Sequence, residues 1–147
     1  MSYNRDSIKK FVQDNIDSLI DDGVIAGRVI EQMVAKKNNW KNVGGNNFSY
    51  DHVDEDGNKI ETKSTRSIQL DRYLRIGGMG NKKNCCDIMQ IIDTLSGREF
   101  RIPHDIFYKR ARFDNNQFWW SCNYDTNIRS YVKSHNTELL LEHEVIQ

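Results

Sequence analysis

The tetrapeptide Glu55-Asp56-Gly57-Asn58 constrains this chain more than any other stretch. Asp-Gly tolerates the positive φ angles of a tight hairpin turn, and the flanking segments 48–53 and 59–65 are strand-like in composition. The chain is therefore expected to double back as an antiparallel pair. Side chains two residues apart on a strand share a face, so Glu61 and Lys63 point the same way and Asp51 on the facing strand comes within their reach. Five acids crowd the eleven residues from Asp51 to Glu61. Such density is repulsive unless cations neutralise it, although the turn residues Asp54 to Asp56 can simply be solvated. Asp54 rivals Asp51 as the partner of Glu61.

Two helices precede the hairpin. Ile8, Phe11, Val12, Ile16, Leu19 and Ile20 recur at helical spacing over 6–21, behind Asp6 or Ser7 as a cap. After Asp22-Gly23 a second helix is expected over 24–37, with Ala26, Val29, Ile30, Met33 and Val34 as its sheet-facing stripe and Asn38-Asn39 as its end. Beyond the hairpin, 67–76 is ambiguous and Gly77-Gly78-Met79-Gly80-Asn81 is a loop by composition. A buried strand is expected over 86–92, and Ser96-Gly97 turns into a hairpin arm over 99–102. Pro103, the only proline, opens a short helix. Trp119 and Trp120 lie in an aromatic segment read as core or dimer interface, and 126–135 is expected as a last helix, with a helix or frayed end after Asn136. This order predicts one α/β domain over 1–147, a central mixed β-sheet flanked by helices.

With 21 acids and 21 bases the chain carries no net charge, so it lacks the global attraction to nucleic acid of a strongly basic protein. The balance is uneven, however. Between Lys59 and Lys83 seven bases face only Glu61 and Asp71, and Arg66, Arg72, Lys82 and Lys83 in that stretch are candidates for gripping a phosphate backbone. The apolar runs are far shorter than the roughly 20 residues that a membrane-spanning helix needs. The polar start, with no apolar signal segment, predicts a cytoplasmic protein. Three cysteines are an odd number, and the adjacency of Cys85 and Cys86 is a poor arrangement for a disulfide framework or a zinc site. The four histidines show no metal-ligand spacing, and the glycines of 77–80 lack the Lys-Ser/Thr of a phosphate loop.

The chemistry therefore concentrates on the hairpin. Paired carboxylates are hard oxygen ligands for Mg²⁺, which can bind a scissile phosphate and acidify a water. The Lys63 ammonium can position that water or offset charge on phosphorus in the transition state. Against this stands a solvated Glu61–Lys63 surface pair worth little energy.

Asp51, then Glu61-Thr62-Lys63 ten residues on, with Glu31 on the helix twenty residues before Asp51, resembles the PD-(D/E)XK nuclease superfamily, the restriction-endonuclease-like group. Tyr50 stands where that family often has proline, a position that shapes the strand and does not ligate metal. The resemblance covers 24–65 and extends loosely over 86–92. It implies a restriction-endonuclease-like core and a metal-dependent endonuclease acting on DNA, most simply double-stranded. It further implies Asp51, Glu61 and the Thr62 carbonyl as ligands of Mg²⁺ (Mn²⁺ substituting), Lys63 as catalytic, and Glu31 supporting a second metal or the water. A restriction-like or phage-encoded homodimer follows, since one site cuts one strand. The alternatives are a structure-selective nuclease of the same superfamily, acting on junctions, flaps or damage, and a non-catalytic DNA or protein interaction module.

Overall fold

A computed structural model of the chain describes residues 3–43, 50–64, 73–76, 85–94, 96–114, 117–125, 130–131 and 135–146. Helix α1 (Arg5–Asp14) starts a turn earlier than its apolar pattern implies, because Asn4 caps it by accepting a hydrogen bond from the Ser7 amide at 3.0 Å. The expected continuous helix breaks at Asn15, and α2 (Ile16–Ile20) follows. Asp22 then caps α3 (Gly23–Asn38) by accepting from the amides of Val24 and Ile25 at 2.9 and 3.2 Å. Asn39 ends α3 in the left-handed region at φ 54°, where asparagine is among the few side chains tolerated.

The buried side of α3 is rotated from the expected stripe. Val34 and Ala35 are buried, whereas Met33 is 63% exposed and Val29 39%. The helix presents Glu31, Val34, Ala35 and Asn38 inward, and leaves Val24, Val29 and Met33 to solvent.

The central sheet runs β1 (Lys41–Asn42), β2 (His52–Val53), β3 (Lys59–Ser64), β5 (Ile88–Ile92), β6 (Glu99–Pro103). The pairing of β3 with β5 is parallel and the others are antiparallel, so the sheet is mixed and helices flank it, an α/β fold. The hairpin between β2 and β3 closes as its composition dictates: Gly57 sits at φ 81° and its amide reaches the Asp54 carbonyl at 3.1 Å. Gly97 plays the same part between β5 and β6 at φ 76°. Pro103 is the cap rather than the first residue of α4 (His104–Lys109).

A second sheet orders β4 (Tyr73–Ile76), β8 (Gln117–Asp125) and β7 (Arg112–Asp114), and β9 (Ser130–Tyr131) pairs with β8. Of the helix expected over 126–135, residues 126–129 and 132–134 lie outside the described residues, and Ser130 and Tyr131 are strand, a correction, because their backbone groups find partners in Asp125 and Tyr124. The last helix, α5 (His135–Glu142), is the helix allowed for after Asn136.

Register sorts the two faces of the central sheet. Glu61 pairs beside Met89 and Lys63 beside Ile91, while Ile91 and Met89 pair with Phe100 and Ile102. On this face Met89, Ile91, Phe100 and Ile102 bury completely or nearly so against Phe107 of α4, Trp120 of β8 and Leu140 of α5. Trp120 stacks on Phe107 with centroids 5.1 Å apart, placing that tryptophan in the core. The other face carries Ile60, Thr62, Gln90 and Arg101. Here α3 is tied down by Asn38, which accepts from Arg101 at 2.6 Å, and by Lys37, 3.1 Å from Glu99. Gln90 completes the network by donating to Glu99 and accepting from Arg101 at 2.9 Å. Burial alone would raise the Glu99 carboxyl, but Lys37 and Arg101 outweigh it and hold the group below the ordinary carboxylate range.

Candidate active site at the hairpin

Strand β3 carries Glu61 and Lys63 on one face, and the lysine Nζ lies 3.2 Å from Glu61 Oε1. The pair is not a solvated surface contact: the Glu61 side chain is 5% exposed and that of Lys63 25%. Asp51 stands just before β2. Its amide donates to the Ile60 carbonyl at 2.8 Å, and its Oδ2 accepts the Thr62 amide at 2.9 Å. The aspartate is thus bolted to the β3 main chain between the two residues that carry the charged pair.

The electrostatics of Asp51 reflects these neighbours. The Asp51 carboxyl is pushed up to about 6, first because burial strips it of water, then because Glu61 carries the same charge beside it. Glu31, on the inward side of α3, adds to the rise, while the Thr62 amide and Lys63 oppose it. Asp51 therefore feels the charges of Glu61 on β3, Glu31 on α3 and Lys63 together. Glu31 also lies 3.9 Å from the exposed Arg28 guanidinium. Asp54, the rival of Asp51, is engaged in the turn: its carboxylate accepts from the amides of Asp56 and Asn58 and from the Asn58 side chain at 2.8 to 3.0 Å.

Thr62 turns its side chain to the opposite face, where its hydroxyl lies 2.7 Å from Nε2 of His52. His52 is fully buried, and desolvation lowers its pKa against the raising effect of Glu61, so the ring is held neutral. Trp40 covers it, with centroids 5.9 Å apart. This His52–Thr62 contact braces the segment whose amide holds Asp51. No spacing in the sequence announces it. The predicted phosphate contacts Arg66, Arg72, Lys82 and Lys83 lie outside the described residues.

The donor set suits a hard divalent cation: carboxylate oxygens from Asp51 and Glu61, with Glu31 acting on Asp51, where burial first and the Glu61 charge second leave Asp51 reluctant to ionise. A second cluster, which the sequence does not show as a ligand set, lies just before β5, at the end of the strand beside Glu61. Sγ of Cys85, Sγ of Cys86 and a ring nitrogen of His104 fall within 4.8 Å of one another. The adjacent cysteines looked unfit for metal because ligand spacing was sought along the chain, whereas His104 arrives from the β6–α4 junction.

No family model matches the sequence, and no curated protein matches it significantly. Among solved structures the chain is similar to a bacterial homing endonuclease, I-Ssp6803I, at 19% identity and a TM-score of 0.48, over 80% of this chain and 85% of that one.

Proposed function

We propose that this chain is a divalent-metal-dependent nuclease of the PD-(D/E)XK kind, hydrolysing phosphodiester bonds in DNA. One observation carries the reading: Asp51 and Glu61, from the two arms of one hairpin, meet beside Lys63, with Asp51 held up at about 6 by burial and by Glu61. A structural ion pair needs no second and third carboxylate, and their mutual repulsion is a standing cost that a bound cation removes.

Asp51, Glu61 and the Thr62 carbonyl would hold Mg²⁺ or Mn²⁺, and Glu31 would support a second ion or the attacking water. When bound, the cation supplies Lewis acidity at the scissile phosphate. The chain's own groups do the rest. The Thr62 amide fixes the Asp51 carboxylate in place. The Lys63 ammonium, partly exposed and beside Glu61, would orient a water for in-line attack and offset charge at phosphorus. Arg66, Arg72, Lys82 and Lys83 would hold the backbone of duplex DNA. A homodimer in a cytoplasmic setting would let two sites cut both strands, restriction-like or phage-encoded in character. The exposed Phe11, Ile16, Val24 and Met33 on α1–α3 supply apolar surface for such an association.

The test is a cleavage gel on a panel of linear duplex, nicked, branched and single-stranded DNA with Mg²⁺ or Mn²⁺. Glu61→Ala and Lys63→Ala, folded by circular dichroism, should cut nothing, and the lysine variant should still bind DNA. Cutting confined to branched or flapped DNA would make the enzyme structure-selective. Binding with no metal-dependent cleavage of any substrate would leave an interaction module and end the nuclease proposal.

A further inference from the structure

The Cys85, Cys86 and His104 cluster differs from the hairpin site in its donors, sulfur and nitrogen against carboxylate oxygen, although Cys86 lies beside Glu61. Cys86 is buried, Cys85 half-buried, His104 only 5% exposed, and both cysteines are reduced thiols. Their donors arrive from two elements that the main chain already clamps together: the His104 amide donates to the Asp87 carbonyl at 2.9 Å, just where β5 and β6 end their pairing. The bend at Cys85 removes the strand alternation that would point adjacent side chains apart, so both sulfurs lie on the side from which His104 approaches.

The spacing matches one ion. Zinc–sulfur and zinc–nitrogen bonds of about 2.3 and 2.0–2.1 Å at a tetrahedral angle put a sulfur and a nitrogen ligand about 3.6 Å apart. The Cys85 Sγ to His104 Nε2 distance is 3.7 Å. A thiol–imidazole contact and a Cys85–Cys86 thiol contact account for the neighbours in pairs; what marks the cluster is that all three donors lie within 4.8 Å of one another.

We propose that Cys85, Cys86 and His104 bind one thiophilic divalent cation of the zinc class, with the fourth position open to water or to a further group. Thiolate and imidazole donors select Zn²⁺ over Mg²⁺, whereas the all-oxygen hairpin site selects the reverse, so the protein would hold two metals of different chemistry. Binding replaces the thiol protons of both cysteines, which are released to solvent. Its structural consequence reaches the hairpin, because the Glu61 main chain hydrogen-bonds the Cys86 sulfur. The thiophilic ion would therefore lock the loop before β5 to α4 and hold Cys86 against the main chain of the residue that carries the hairpin carboxylate.

The experiment is metal titration of the full chain, reduced and stripped of metal, with Co²⁺ as the spectroscopic stand-in for Zn²⁺. The expected result is one Co²⁺ per chain with near-ultraviolet thiolate-to-cobalt charge transfer and visible tetrahedral bands, displaced by stoichiometric Zn²⁺ and unaffected by excess Mg²⁺. Cys85→Ser, chosen because Cys85 is the least buried ligand, should lose the charge transfer and weaken Zn²⁺ binding by about 100-fold or more. His104→Asn gives a second variant that keeps both thiols, and circular dichroism shows that each remains folded. Absence of charge transfer, Zn²⁺ affinity unchanged in both folded variants, or ready closure of the Cys85–Cys86 pair to a disulfide with no metal uptake would each overturn the proposal. None of these readouts depends on cleavage, so the outcome is independent of the proposed nuclease activity.

Discussion

The Thr62 amide donates to Asp51 Oδ2 across 2.9 Å while the Thr62 hydroxyl lies 2.7 Å from His52 on the other side of the sheet. One residue of β3 therefore both anchors the acidic site and ties it to a buried support. The main chain on either side of Thr62 carries Glu61 and Lys63, so the position of every charged group in the hairpin depends on this strand staying in register.

Removing Lys63 should separate catalysis from folding. Lys63→Ala leaves the buried Glu61 carboxylate less compensated and should cost about 1–3 kcal/mol of stability, while Glu61→Gln should cost less because it removes the charge that needs compensation. Both should lower cleavage by at least about 100-fold. Urea melts and single-turnover cleavage rates on the same preparations check the two halves.

Asp51 should make the metal-free protein lose stability as pH rises. Its folded pKa, about 6, lies above the ordinary 3.8, so the native state holds the proton more tightly than the unfolded chain. That contribution is fully present below about pH 4 and is lost as pH climbs through 6. Asp51→Asn should flatten this slope and, discounting for partial exposure, stabilise the protein by about 1 kcal/mol at neutral pH while abolishing cleavage. Denaturant unfolding in EDTA between pH 4 and 7, wild type against variant, measures the difference. A bound cation favours the carboxylate, so divalent-metal affinity should fall as pH drops below 6.

Glu31→Gln probes whether α3 belongs to the site. Removing its charge relieves Asp51 and should shift the Asp51 carboxyl titration downward, a change visible by NMR of the side-chain carboxyl carbons. Cleavage should fall by about 10-fold, less than for the hairpin residues. An unmoved Asp51 titration would place Glu31 outside the cluster.

Glu99 should account for part of the acid sensitivity of the fold. Its carboxyl is held below the ordinary range, so it stabilises the protein above its unfolded pKa and that contribution is lost as pH falls through the folded one. Glu99→Gln should lower stability at neutral pH by about 1–3 kcal/mol, since Lys37 and Arg101 lose a charged partner. It should also make the melting temperature less pH-dependent as pH falls below the ordinary carboxylate range, as read by scanning calorimetry.

How much of this was legible in the sequence depended on the range of the force involved. The Asp56-Gly57 turn, the Asp22 cap and the Asn39 stop are decided by groups within a few residues of one another, and each lies where composition placed it. The same holds for the shared face of Glu61 and Lys63, which follows from strand geometry alone. The helix expected at Ser130 and Tyr131 and the expected stripe of α3 failed for the opposite reason. Ser130 and Tyr131 are strand because β8 offers them backbone partners, and α3 turns Val34 and Ala35 inward because Lys37 and Asn38 must reach Glu99 and Arg101.

The sequence by itself determined the hairpin and its acid–acid–lysine order, because a two-residue side-chain period and a tight turn leave a short segment no other arrangement. Only the tertiary structure decided that Asp54 is engaged in its own turn, that His52 braces Thr62, and that His104 meets Cys85 and Cys86. Those juxtapositions bring together residues whose separation along the chain carries no signal. Burial and main-chain hydrogen bonding, which act through space, set the charge that each of these groups can carry.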